Sequence, residues 1–412
     1  MKQWSESRLK NLLAIPLSYG LNVSSEDDRE DWPRYIRITD FDDFDHLNEG
    51  TFKSLPISVA EPALLKDGDL LFARCGATAG KTFLYSALPK GACYAGYLIR
   101  ARFKRNLVNP RFVSYFTKGV DYCNWKNRYC IQTTIQNISA DKYNQLPISI
   151  PSLSEQQRIV DYLDEKLAKI DERIEVLEKQ QDAYARLKKS VIHQAVTRGL
   201  DPDVRLKDSG IEWIGKIPEH WELKRFKSIF SECKSVTETG QEDLLSVSEY
   251  YGIARRIDKM DDGEYESRAD SLIGYKICKK DDLVINIMLA WKRGLGFSDF
   301  DGIVSPAYAV YRGKNIVPHY FHYLMRTDMY VAEYKRNSKG IIDSRLRMYT
   351  DRFNNIIAIV PPHSEQKAIA NYLDEKCVKI DAAIENIGKQ IDASKRLKRA
   401  LINEVITGQR AV

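Results

Sequence analysis

The stretch SEQQRIVDYLDEKLAKIDERIEVLEKQQDAYARLKKSVIHQAVTR, Ser154 to Arg198, decides how this chain is read, because it occurs twice. Its second copy, SEQKAIANYLDEKCVKIDAAIENIGKQIDASKRLKRALINEVITG, runs from Ser364 to Gly408, 210 positions later. The two agree at Ser-Glu-Gln, at Tyr162 to Lys166 against Tyr372 to Lys376, at Lys169-Ile170-Asp171 against Lys379-Ile380-Asp381, and at Arg186-Leu187-Lys188 against Arg396-Leu397-Lys398. Each copy reads as one helix, with serine as N-cap, glutamate in the first turn, no internal proline and glycine at the far end. Such a helix spans roughly 65–70 Å, more than a globular core needs.

The apolar residues Leu163, Leu167, Ile170, Ile174 and Leu177 step by four and three, as do Leu373, Cys377, Ile380, Ile384 and Ile387, which is a coiled-coil seam. Both seams are expected to change phase together, through Tyr184, Leu187 and Val191 and through Ser394, Leu397 and Leu401, with local overwinding. A coiled coil can serve homodimerisation alone. Two matched copies in one chain make each the other's partner at high effective concentration, and the expected pairing is antiparallel.

Outward from the helices, the chain has 412 residues, 43% hydrophobic, enough for two or three domains. No run approaches a membrane span and the amino end is too polar for a secretory signal, so the expectation is a cytoplasmic protein with no membrane partner. Seven cysteines without CxxC spacing point to reduced thiols. The formal charge of +6 permits nucleic-acid binding without requiring it.

Residues 1 to about 150 alternate short apolar runs with turns. Strands are expected at Tyr35–Thr39, Asp69–Ala73 and Ile148–Ile150, and a helix opening with Pro110 at its first position. Residues about 218 to 361 repeat that plan: Trp4 answers Trp221, Gly68 to Leu71 answers Asp281 to Val284, Val108-Asn109-Pro110 answers Ile316-Val317-Pro318, and Leu146 to Pro151 answers Ile356 to Pro361. A shared frame with unlike loops is what duplication followed by divergence of two ligand readers produces. The segment Gly199 to His220, with tryptophan and isoleucine anchors, is expected to pack along the helix.

Arg74 to Thr82, RCGATAGKT, is similar to a phosphate-binding loop but has three residues between its glycines where the nucleotide motif has four, and no amphipathic pattern follows Lys81. No G-x-S-x-G, H-E-x-x-H, G-x-G-x-x-G or adenine-methyltransferase tetrapeptide occurs, and His319 and His322 lack a third metal ligand nearby. The chain reads as non-catalytic, with no cofactor or metal of its own. A basic, glycine-rich loop after a strand can still hold a phosphate or reach a base edge. The candidate DNA-binding residues on divergent loops are Arg74, Thr78, Lys81, Arg128, Gln132 and Gln136 in the first half, and Trp291, Lys292, Arg293, Arg345 and Arg347 in the second. Any of them could instead be a solvated surface residue.

Several stretches together carry a family resemblance: Pro151 to Gln157 with its echo Pro361 to Gln366, the Tyr-Leu-Asp-Glu-Lys repeats, and Lys207 to Gly215. The chain resembles the specificity subunit of type I restriction-modification systems over essentially its whole length, and Met288 to Lys292 with Gly302 to Tyr308 is similar to a recurring class of their target-recognition domains. The resemblance implies an α+β protein with two mixed α/β target-recognition domains separated by two long helices forming an antiparallel coiled coil. Its divisions would be 1–153 and 218–363 for the target-recognition domains, 154–198 and 364–408 for the spacer helices, and 199–217 for a linker. It implies binding of double-stranded DNA at a bipartite, asymmetric site. It also implies docking of two modification subunits that carry S-adenosylmethionine and methylate adenine, and of ATP-driven restriction subunits. The competing expectation is a coiled-coil scaffold without DNA preference.

Overall fold

The computed structural model describes residues 4–412 apart from positions 26, 131–136, 251, 257, 259–270, 341, 343 and 344. The chain divides into two units, one of residues 1–178 with 388–412, the other of residues 179–387. The long helices, Leu153–Arg198 and His363–Ile406, each contribute to both.

The first unit is built on a four-stranded antiparallel sheet in the order Leu13–Tyr19, Leu98–Phe103, Leu70–Ala73, Thr82–Leu84. Its inner strand Leu70–Ala73 is buried at every position, as expected of a strand covered on both faces, and the sequence there is accordingly apolar throughout. Asp69, just ahead of this strand, is buried and takes both nitrogens of a fork from Arg102 at 2.7 and 2.6 Å. Ser5–Arg8 pairs with Pro147–Ile150 and leads the chain into the first long helix.

The second unit repeats this frame strand for strand: Phe230–Cys233, Tyr308–Gly313, Leu283–Asn286, Leu295–Phe297. Asp282 takes the fork of Arg312 at 2.9 and 2.8 Å, and Glu222–Arg225 pairs with Ile357–Val360. Buried glutamines pin each helix start to its unit. The Gln156 amide accepts from Asn109 N and donates to Pro151 O, and the Gln366 amide accepts from Val317 N and donates to Pro361 O.

Within each unit the two helices run antiparallel. The first unit's core joins Ile159, Leu163 and Leu167, near the start of the first helix, to Leu401, Ile402 and Val405, near the end of the second. The second unit's core joins Ile369 and Leu373 to Ala195 and Val196 in the same sense. Gly199 and Gly408 close the helices at φ +82° and +69°, a left-handed conformation that glycine takes without a Cβ penalty. A Cβ on either would lie within 3.4 Å of a tryptophan, Trp221 or Trp4 respectively.

Three expectations are corrected. The seam does not change phase: Leu187 and Leu397 are 47% and 54% exposed, and the regular four-three step continues in the second helix through buried Ile387, Ile391, Ser394, Lys398, Leu401 and Val405. A lysine therefore occupies a seam position, which its pairing with Asp171 at 2.6 and 2.8 Å permits. The same pair, shifted by 210 residues, joins Lys188 to Asp381 at 2.7 Å in the second unit. Second, the cap of the first helix is Ser152, whose Oγ accepts from Glu155 N at 3.3 Å, and Ser154 lies inside the first turn. Third, the strand expected over residues 35–39 is Arg34–Ile36, because Asp40 takes Arg37 N and the Arg37 guanidinium and folds the chain into a turn.

The linker forms a two-stranded ladder, Leu206–Asp208 with Lys216–Pro218. It places Ile214 and Ile217 in the core that holds Ala195 and Val196, with the Trp213 ring edge-on to Tyr330 at 5.2 Å.

Candidate nucleic-acid interface

In the first unit the candidates cluster after the inner strand. Arg74 follows Ala73 directly, and its backbone is fixed on both sides: its N–H donates to Tyr97 O at 2.9 Å and its carbonyl accepts from Ile138 N at 2.7 Å. The guanidinium lies over the Tyr19 ring, 4.9 Å from its centroid, with Nε buried and unpaired. Gly76, Ala77 and Thr78 form an exposed tip. After Lys81 the chain enters the strand Thr82–Leu84 rather than a helix, so no helix N-terminus is available for a nucleotide phosphate.

Lys81 does not project from this tip. Its ammonium donates to Phe41 O and lies over the Phe41 ring, on the wall of a cavity of about 360 Å³ whose lining includes Lys118, Lys126, Arg399 and Asp43. Gly80 matters here, since a Cβ at its φ of +83° would stand 2.2 Å from the Lys126 side chain. Burial lowers the Lys118 ammonium's pKa, and Asp45 at 3.1 Å opposes that shift. Arg128 is exposed on the helix Val120–Cys130, and Gln132 and Gln136 lie outside the described residues.

In the second unit Trp291 is half-buried, donates to Met288 O at 3.1 Å, and carries Lys292 and Lys335 within 5.2 Å of its ring centroid. Lys292 is exposed. Arg293 takes a left-handed φ of 61° and turns its guanidinium onto Arg326 O and Asp328, a structural engagement. Arg345 is exposed, and Arg347 is tied into a bridge with Lys339. The structure thus gathers Arg74 with Thr78 and Trp291 with Lys292, and directs Lys81 and Arg293 inward. Tyr19 and Tyr97, 46% and 62% exposed beside Arg74, had no signal in the sequence. They reach the loop only through strand pairing.

His319 and His322 do not form a metal centre. His319 Nδ1 faces Asp374 Oδ2 at 3.2 Å, while burial and the nearby Arg326 push the His322 imidazole down to about 4. Among the described residues no group of three histidines, cysteines or carboxylates is placed to hold a metal.

Two units of one plan, each ending its inner strand in a different loop and each fused to a long antiparallel helix pair, define a tandem-repeat recognition protein. The family described as the type I restriction modification DNA specificity domain matches residues 1–180. A putative type I restriction enzyme MjaX specificity subunit from Methanocaldococcus jannaschii is 24% identical over 437 aligned positions, covering 99% of this chain and 94% of that protein. The MjaVIII specificity subunit of the same organism is 22% identical, over 89% of this chain and 84% of its own. Among solved structures, one from work on assembly and conformational transition of the type I R-M system superimposes with a TM-score of 0.69 at 14% identity, over 98% of both chains. The HsdS subunit of Thermoanaerobacter tengcongensis gives 0.53 at 15% identity, over 100% of this chain and 98% of its own. Residues 1–180 thus match the specificity-domain family, and the chain is similar to type I specificity subunits over nearly its whole length.

Proposed function

We propose that this chain is the sequence-reading subunit of a type I restriction-modification enzyme, each unit addressing one half of a split, asymmetric DNA site. The observation that carries this is the repeated frame with unlike loops: the sheet, the aspartate–arginine fork and the buried glutamine recur, whereas the residues closing the inner strands do not. Rigid strands presenting variable side chains suit base readout in a groove. Thr78, Arg128, Lys292 and Arg345, all exposed, would meet phosphates, which fix register without reading sequence.

The chemistry would reside elsewhere. S-adenosylmethionine and adenine methylation would belong to modification subunits, two of them because the helix surface is presented twice, and ATP to restriction subunits that join this core. No helix among the described residues is long and apolar enough to cross a membrane, and a cytoplasmic location fits a DNA-directed role.

Base-resolution mapping of adenine methylation, in cells expressing this chain with its neighbouring methyltransferase, tests the reading. A bipartite motif that appears only with both chains is expected. Methylation without this chain, or a motif unchanged when another specificity subunit replaces it, would refute the reading.

A further inference from the structure

We infer that Arg74 reads a guanine in the half-site addressed by the first unit, its guanidinium held ready by stacking on Tyr19. This rests on the reading of the chain as a DNA-specificity subunit and names what one of its loops recognises.

Most partly buried arginines among the described residues have an acceptor; Arg34, Arg100 and Arg255 share a buried, unpaired Nε with Arg74 but reach Glu49, Leu64 O and Asp243 respectively. Arg102 and Arg312 fork onto Asp69 and Asp282, Arg37 onto Asp40, and Arg326 donates to four carbonyls. Arg74 differs. Among the described residues no carboxylate or carbonyl accepts from its guanidinium, its Nε is buried without a partner, and its contact is the Tyr19 ring. A structural arginine at a strand end would cost less stability with an acceptor in reach, because a buried N–H left unpaired forfeits its hydration.

Position and platform argue for a base over a phosphate. The backbone of Arg74 is fixed through Tyr97 O and Ile138 N, and the Tyr19 hydroxyl is itself held by Ala140 N at 3.2 Å. A guanidinium whose carbon lies 4.9 Å over the centroid of a fixed ring presents its planar fork from a restricted position. The matching acceptor pair on a DNA edge is guanine O6 and N7 in the major groove. Exposed Tyr97 beside it adds a planar surface that suits bases better than tetrahedral phosphates.

The second unit supplies a contrast at the same point of the frame. Ile287 follows its inner strand as Arg74 follows the first, and its carbonyl accepts from Met348 N at 2.8 Å as that of Arg74 accepts from Ile138 N. Ala307 stands where Tyr97 stands, one residue before the neighbouring strand. The frame is retained while a cation flanked by tyrosines becomes an aliphatic pair, so this position is one where the two readers differ in what they can recognise.

The test uses the full chain in complex with its methyltransferase, comparing the wild type with Arg74→Ala, Arg74→Lys and Tyr19→Leu by methylation mapping and by binding to duplexes carrying the wild-type motif. For Arg74→Ala, discrimination at a single G·C pair of one half-site should fall roughly ten- to a hundredfold, with the other half unchanged and the salt dependence of binding preserved. Arg74→Lys, which keeps the charge and fits the same half-exposed site, should not restore it; Tyr19→Leu should relax the same pair less. A uniform loss across sequences with a shallower salt slope would make Arg74 a phosphate contact and overturn the inference. An unchanged motif in the folded variants, or a wild-type half-site without G·C pairs, would also overturn it. A wild-type chain that imposes no motif would instead bring down the DNA-specificity reading itself.

Discussion

Removing Asp171 should destabilise the protein more than removing the lysine it pairs with. The Lys398 side chain is 5% exposed and sits on the helix seam, whereas that of Asp171 is 41% exposed. Asp171→Ala leaves a nearly buried ammonium without its ion-pair partner, with the Phe44 ring 3.9 Å away and the carboxylates of Asp45 and Asp164 lining the same cavity. A fully buried pair broken this way costs about 3–5 kcal/mol; water admitted beside the exposed carboxylate reduces that to about 2–3 kcal/mol. Lys398→Met leaves a carboxylate that water can solvate and places an apolar side chain on the seam, so its net cost should stay within about 1 kcal/mol. Urea unfolding of the full chain followed by far-UV circular dichroism reads the difference. With an m-value of about 2–3 kcal/mol/M, Asp171→Ala should lower the midpoint by roughly 1 M, Lys398→Met by much less, and the double variant should recover most of the loss. A larger loss from Lys398→Met than from Asp171→Ala would refute the assignment of the burden to the buried ammonium.

In the second unit Lys188 and Asp381 are 32% and 55% exposed, so Asp381→Ala should cost only about 0.2–1 kcal/mol in the same assay. Gln156→Ala strips partners from Asn109 N and Pro151 O and should cost about 1–3 kcal/mol in a thermal melt, while Gln156→Glu, unable to donate when ionised, should not rescue it. His322 has its pKa pushed down to about 4 by burial. The unfolded chain therefore binds the extra proton first, and stability should fall as pH drops from about 6.5 towards 4, by no more than about 3 kcal/mol. His322→Gln should flatten that slope in melts taken across this range. A seven-residue insertion after Glu178 matched by one after Ile387 keeps both seams in phase and adds about 10 Å of helix. It should lengthen the unread gap of the methylated motif by about three base pairs without changing the bases read, as methylation mapping would reveal.

The helices were legible because two copies of one apolar rhythm leave few alternatives, and the antiparallel sense followed from their tandem order. The phase of the seam beyond Leu177 was not. Leucine outranks lysine as a seam residue on hydrophobicity alone, and only the spatial arrival of Asp171 beside Lys398, 227 residues away in sequence, makes the lysine acceptable there. The frame of the units was legible in outline from the matched apolar runs, such as Leu70 to Ala73 against Leu283 to Asn286. The site was legible by residue type but not by direction. Nothing local says that Lys81 folds back onto Phe41 or that Arg293 is taken by Arg326 O and Asp328. Tyr19 joins Arg74 only because two strands distant in sequence lie in one sheet.

The central claim is that the two units read separate half-sites on a shared scaffold, and exchange of one reader measures it most directly. Replacing residues 1–150 with the corresponding segment of a relative that has a different motif, followed by methylation mapping with the same methyltransferase, should change one half of the recognised sequence and leave the other half and the gap unaltered. A chimera that is folded and active yet changes both halves, or changes the gap alone, would contradict the account.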